Sequence, residues 1–230
     1  MAAYNLAIET ASRQGWVTLG RDDAMIETAP LPQHRRHNIE LMPSIDALCQ
    51  RHGIQRHELK EVYTSLGPGS FTGLRIAIAT VKMLAMVLSV RVVGVPSLDV
   101  LAYNAPAEAQ HVAVALNLKR GTMHCQRFER ASDGLMAVNE PALRTVTTLL
   151  DDAPRPITLI GEKLPELEAR HASDPEITTL TADTALPDPR IVWQLGRARA
   201  KAGRFDDPWT LTPLYIREPE AVTLWREQTT

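Results

Sequence analysis

Gly67, Gly69 and Gly73, with Pro68 and Ser70 among them, lie between a strand-like run, Val62 to Leu66, and a long helix-like run, Leu74 to Leu88. A glycine turn that feeds a helix N-terminus exposes unpaired backbone N–H groups, so it can hold an anion or let another backbone come close. The sequence leaves both readings open. The ending Gly73-Leu74-Arg75 lacks the Gly-Lys-Ser/Thr of a P-loop, and Gly67-Pro68-Gly69-Ser70-Phe71 is not a Gly-x-Ser-x-Gly elbow. Ser70 has no identifiable histidine and carboxylate partners for hydrolase chemistry. His34, His37 and Glu40 form a loose His/His/carboxylate cluster, but Arg35, Arg36 and Asn38 around them read as an exposed helix entry, and no metal site is expected there. His52, His57, His111 and His124 have no spacing that pairs them. Cys49 and Cys125 form no CxxC pair and fit two ordinary thiols in a reducing cytosol.

The elements that must position these residues follow from turn signals and periodicity. Tyr4 to Thr10, Trp16 to Arg21 and Met25 to Ala29 read as three short strands separated by Arg13-Gln14-Gly15 and Asp22-Asp23. Leu41, Ile45, Leu48 and Cys49 recur at helical spacing before the stop at Gly53, and Pro43 places the start of that helix near Asn38 to Leu41. Strand Glu61 to Leu66, helix Thr72 to Leu88 and strand Arg91 to Val95 complete a first half. A second half repeats the order with strands His111 to Asn117, Thr122 to Arg130 and Leu135 to Asn139. Helix Val146 to Asp151, strand Ile157 to Gly161, helix Leu164 to His171, strand Ile177 to Thr181 and helix Arg190 to Gly203 follow. Two successive βββαβα units predict a duplicated α/β chain, residues 1–106 and 107–230, joined at Asn104 to Ala107.

At 230 residues and 44% apolar content the chain can bury a sizeable core, and its net charge of −2 gives no broad electrostatic footprint for nucleic acid. The N-terminus has no basic region followed by an apolar one, so the expectation is a cytoplasmic protein with no membrane anchor.

The run from Gly67 to Arg75, with Ala79-Thr80-Val81-Lys82, resembles the signature of the TsaB (YeaZ) family, accessory proteins of tRNA threonylcarbamoyladenosine modification. Leu6 to Ala11, His37 to Ile45, Val93 to Leu98 and the closing Pro213-Leu214-Tyr215-Ile216-Arg217 extend the resemblance. It implies an actin-like, hexokinase-like (ASKHA) fold. It also implies a noncatalytic subunit that binds and activates a TsaD-like catalytic subunit, alongside a TsaE-like ATPase, with tRNA reached only through the complex. In TsaD two histidines hold a metal, and Ser97 and Leu101 stand at the matching positions here. Neither side chain replaces an imidazole, so catalytic residues and resident metal are expected to be none.

The same resemblance places His37, Leu41, Met42, Ile45, Leu48, Leu74, Arg75 and Ala79 near the partner contact. A charge at Ile45 or Leu74 is then expected to abolish partner binding with the fold intact. Glu9, Thr10, Gly67, Gly69, Ser70 and Gly73 are the candidate nucleotide or anion loop. Glu9 replaces the family's aspartate, and Asn117-Leu118-Lys119-Arg120-Gly121-Thr122 replaces a more acidic pattern. No cofactor of the chain's own is expected, with ATP or ADP allowed at a partner interface. The alternatives are a stand-alone phosphotransferase or metallopeptidase-like enzyme of the same superfamily, and a homodimer through the partner helices when the partner is absent.

Overall fold

The structure, a computed structural model, describes residues 3–32, 37–117, 123–161, 164, 168–180 and 186–216. Strands β1 (Tyr4–Glu9), β2 (Trp16–Arg21) and β3 (Ala24–Pro30) form an antiparallel meander. Helix α1 (His37–Arg51) leads to β4 (Leu59–Gly67), then α2 (Phe71–Leu88), β5 (Arg91–Pro96) and α3 (Ser97–Ala102). β4 pairs parallel with both β1 and β5, so the first sheet runs β3-β2-β1-β4-β5.

The second half comprises β6 (His111–Asn117), β7 (Met123–Ala131), β8 (Gly134–Ala137), β9 (Ala142–Arg144), α4 (Val146–Asp151), β10 (Ile157–Ile160), α5 (Ala169–Ala172), β11 (Ile177–Leu180) and α6 (Pro189–Lys201). Its sheet runs β11-β10-β6-β7-β8, with β9 paired to β7. Read from β8, this is the strand order of the first sheet. The expected duplication is therefore present at the level of topology, with β9 as an added strand and α3 and α6 closing the two halves.

Each sheet is covered on both faces. Val17, Leu19 and Val62 meet Leu41, Leu48, Ala77 and Val81 of α1 and α2 on one side of the first sheet. Ala7, Tyr63 and Val93 meet Val192 and Trp193 of α6 on the other. In the second sheet α4 covers one face through Val146, Leu149 and Leu150, and α3 covers the other through Leu98 and Leu101. The closing helices are thus largely exchanged: α3 ends the first half but packs on the second sheet through Leu98 and Leu101, with Val100 reaching the first, and α6 ends the second half but packs on the first. Arg197 of α6 pairs with buried Glu61 at 3.1 Å, Arg199 pairs with Asp99 at 2.6 Å, and the Trp193 indole donates to Asn5 at 2.5 Å.

Several expectations change. Pro43 lies inside α1 rather than at its first turn, because the helix begins at His37. Pro43 and Ile39 are both exposed, so the Ile39 carbonyl that would otherwise accept from position 43 reaches water. Leu164 is not helical, and α5 begins only at Ala169, after an extended Glu168; Pro165 disfavours helix at the residue before it. The ends of the expected strands at Thr122 and Thr181, and residues 165–167 of the expected helix, lie outside the described residues. Helix α3 and strand β9 were not expected; both are too short for periodicity to register.

Candidate functional site

Ser70 caps α2 by accepting from Gly73 N at 3.2 Å, and Leu74 N donates to Ser70 O at 2.9 Å. Around that cap the chain's own N-terminal turn closes in. Ser70 N donates to Ala11 O at 2.7 Å, and the Thr10 hydroxyl donates to Gly73 O at 2.9 Å. A Cβ on Gly73 would stand 1.9 Å from Thr10 O, and one on Gly69 would stand 2.6 Å from Ala11. Of the two readings of this loop, close backbone approach is the one the geometry realises. The ground that an anion would need beside Gly69, Ser70 and Gly73 is filled by Thr10 and Ala11. Gly67 has φ +100°, a left-handed conformation open to glycine, and faces Leu74 and the backbone of Leu214.

Glu9 ends β1 with a side chain only 1% exposed. One carboxyl oxygen accepts from Ala11 N at 2.6 Å and the other meets the Ser65 hydroxyl of β4. Burial pushes its pKa up to about 7, against the opposing pull of the Ser65 and Ala11 hydrogen bonds. Both oxygens therefore serve to tie the β1 turn to β4. Asn117 ends β6 and is exposed, while Leu118, Lys119, Arg120, Gly121 and Thr122 lie outside the described residues.

Ser97 and Leu101, where the resemblance sets the histidines of a catalytic relative, are both buried on α3, and the Ser97 hydroxyl has no hydrogen-bond partner among the described residues. His34, Arg35 and Arg36 lie outside the described residues, as does the side chain of His37, while Glu40 is buried. Among the described residues no group of three or more His, Cys, Asp or Glu side chains could hold a metal ion. Burial raises both thiols, that of Cys125 to about 12, which keeps them protonated.

The chain's outward feature is the face formed by α1 and α2. Helix α2 is long and apolar enough by length and composition to cross a membrane, yet Gly73, Leu74, Ala77, Ile78, Val81 and Leu84 pack inward. Met83, Met86 and Val87 point outward, Met86 at 62% and Val87 at 70% exposure. Ile39 and Met42 of α1 and Phe71 at the start of α2 are exposed as well. The structure divides the expected contact residues. Met42, Arg75 and Ala79 are exposed, whereas Leu41, Ile45, Leu48 and Leu74 belong to the core beneath the sheet, Leu74 at 2% exposure. Ile45 and Leu74 therefore cannot report on a contact with the fold intact, as expected above. The missed positions carried a signal: α2 is apolar around nearly its whole circumference, more than one sheet needs.

Two motifs far apart in the sequence meet at the start of this face. The Arg75 guanidinium lies 3.9 Å from the Phe71 ring centroid and donates through Nε to the Tyr215 hydroxyl at 2.7 Å. The Phe71 and Tyr215 rings are 5.1 Å apart. Arg217, the last residue of the closing motif, lies outside the described residues.

Comparison with known proteins decides the family. The model of the family "TsaD: tRNA N6-adenosine threonylcarbamoyltransferase" matches residues 28–179, well over half of the chain. The chain belongs to this family, in its TsaB (YeaZ) branch. It is 26% identical over 229 residues to the tRNA threonylcarbamoyladenosine biosynthesis protein TsaB of Bacillus subtilis, covering 96% of this chain and 97% of the relative. Against TsaB of Escherichia coli the match is 28% over 135 residues, 56% of this chain and 57% of the relative. The solved structure of YeaZ from Pseudomonas aeruginosa superposes with a TM-score of 0.74 at 21% identity, covering 92% of this chain and 100% of that one. The actin-like fold of the YeaZ structures is thus the fold of this chain. The stretch matched by the TsaD model contains α1 and α2 but ends before α6.

Proposed function

We propose that this chain is a noncatalytic subunit of tRNA threonylcarbamoyladenosine biosynthesis that docks a TsaD-like catalytic subunit on the outward face of α1 and α2. The exposed apolar crest of Met83, Met86 and Val87 on α2, with Ile39 and Met42 exposed on α1, carries this reading. Apolar side chains clustered in the open on a folded protein mark a binding surface. The curated relatives are named for the same biosynthesis. The TsaD model matches the stretch that contains both helices, so a TsaD-like partner offers a similar helix pair to pack against. Helices of 15 and 18 residues are about 22 and 27 Å long, enough to supply much of the roughly 800 Å² per partner of a standard interface. Exposed Ala79 on α2 lets a facing helix approach closely.

The partner would be activated by a shift of population. Binding favours its competent arrangement to the extent that these contacts are better in that arrangement than in the other. In this reading the TsaE-like ATPase, any ATP or ADP at an interface and the tRNA belong to the cytoplasmic assembly. A stand-alone phosphotransferase needs an anion cradle, and the glycines that would form one hold Thr10 and Ala11 instead. Without the partner the same face would pair two copies of the chain.

The test is light scattering after size-exclusion chromatography of the chain mixed with the TsaD protein of the same source. A species at the summed mass, with any homodimer giving way to it, supports the reading. Two separate peaks at micromolar concentration, with both proteins folded, refute it.

A further inference from the structure

The segment Asp206 to Tyr215 is a strap tied down along its length. Asp206 N donates to Val92 O at 2.9 Å and Gly94 N donates to the Asp206 carboxylate at 2.7 Å, which fixes its start on β5. Leu211 is buried in the core under α1 and α2, and Leu214 N donates to Leu66 O of β4 at 2.8 Å. Tyr215 then takes the Arg75 hydrogen bond. Midway, Lys82 of α2 donates to the backbone oxygen of Trp209 at 3.2 Å. The strap thus borders the flank of α2 that carries Phe71, Arg75 and Lys82, and α1 also packs against that helix. On this ordered support Trp209 stands 69% exposed.

A large aromatic side chain held in the open by a segment whose backbone is fixed has little ordering left to lose on binding, and tryptophan is among the residues most enriched at interface hot spots. Among the described residues its tie to α2 runs through the backbone, and the exposed indole is left for another molecule. Among the described residues neither Arg75 nor Lys82 has a carboxylate partner.

We propose that the strap is the second wall of the docking face, and that Trp209 anchors an apolar helix of the TsaD-like partner that presents a carboxylate toward Lys82 and Arg75. This rests on the docking reading above. Its occupant follows from continuity with that face and from charge: a helix laid on the crest of α2 has the strap with Trp209 and Tyr215 at its flank, beside two cations, Arg75 and Lys82, that have no carboxylate partner among the described residues. The strap also lies outside the stretch matched by the TsaD model, so this wall is not one that the partner duplicates by that match.

Isothermal titration of the TsaD partner into wild-type chain, Trp209→Ala, Trp209→Phe and Met86→Asp tests it, with melting temperatures as the control for folding. The expected result is an affinity weakened about tenfold or more by Trp209→Ala, largely recovered in Trp209→Phe, with melting temperatures unchanged. Wild-type affinity in Trp209→Ala, with binding lost in Met86→Asp, overturns the strap while leaving the docking face. Wild-type affinity in both variants overturns the docking reading with it.

Discussion

Glu9 shows how one residue's role changes once its neighbours are known. The sequence places a carboxylate at the end of the first strand, where the family resemblance suggests nucleotide chemistry, but periodicity says nothing of Ser65, 56 positions away, which faces it. Its pKa near 7 against 4.5 for the free side chain means that the folded chain holds the proton more tightly than the unfolded one. The neutral carboxyl therefore contributes its full stability below about pH 4.5, and the contribution falls as pH rises through about 7. Glu9→Gln keeps the acceptor for Ala11 and provides a donor to Ser65 without the charge. Thermal melts between pH 4.5 and 8 are expected to show stability declining with pH in the wild type relative to the variant, by an amount on the order of 3 kcal/mol. Parallel curves for the two proteins would show that Glu9 does not titrate in this window. The glycines were more legible: their spacing before a helix pointed to close approach or anion binding. Only the position of Thr10 decided between them.

At the scale of elements, α1 and α2 were legible as helices, but which of their faces is left in the open was not. Leu41, Ile45, Leu48 and Cys49 are the residues that make the helical period of α1 visible, and for that reason they are the residues that cover the sheet, while Leu74 of α2 is buried beside Gly67. The proposed docking face is formed by what remains: Ile39 and Met42 on α1, and Met83, Met86 and Val87 on α2. Leu74→Asp would bury a charge among apolar side chains and is expected to cost more than about 4 kcal/mol, seen as loss of the cooperative denaturant transition. Met86→Asp sits in solvent and is expected to shift stability by no more than about 0.5 kcal/mol in the same assay. A native-like transition in Leu74→Asp would contradict the packing described. The short elements α3 and β9 escaped the sequence because a helix of 6 residues and a strand of 3 carry too little pattern to stand out from loops.

At the scale of the molecule, the duplicated strand order was legible, since turn signals recur in the same sequence in both halves. The exchange of α3 and α6 was not, because local pattern does not say which sheet a helix will cover. That exchange makes the halves interdependent. Without α6 the face of the first sheet bearing Ala7, Tyr63 and Val93 loses Val192, Trp193 and Ala200 and keeps Val100 of the short α3, and Glu61 loses Arg197. A chain of residues 1–106 alone is expected to give no cooperative unfolding transition by circular dichroism, whereas a sharp transition would show that the first half stands without α6. The interdependence also fixes α2 and the strap in one rigid face, since β4 and β5 support both. The most direct test of the account is a titration of the TsaD-like partner into wild-type chain and Met86→Asp, matched for melting temperature. The account predicts a defined complex with the wild type and at least about a hundredfold weaker binding by the variant. Equal affinity for the two folded proteins would contradict it.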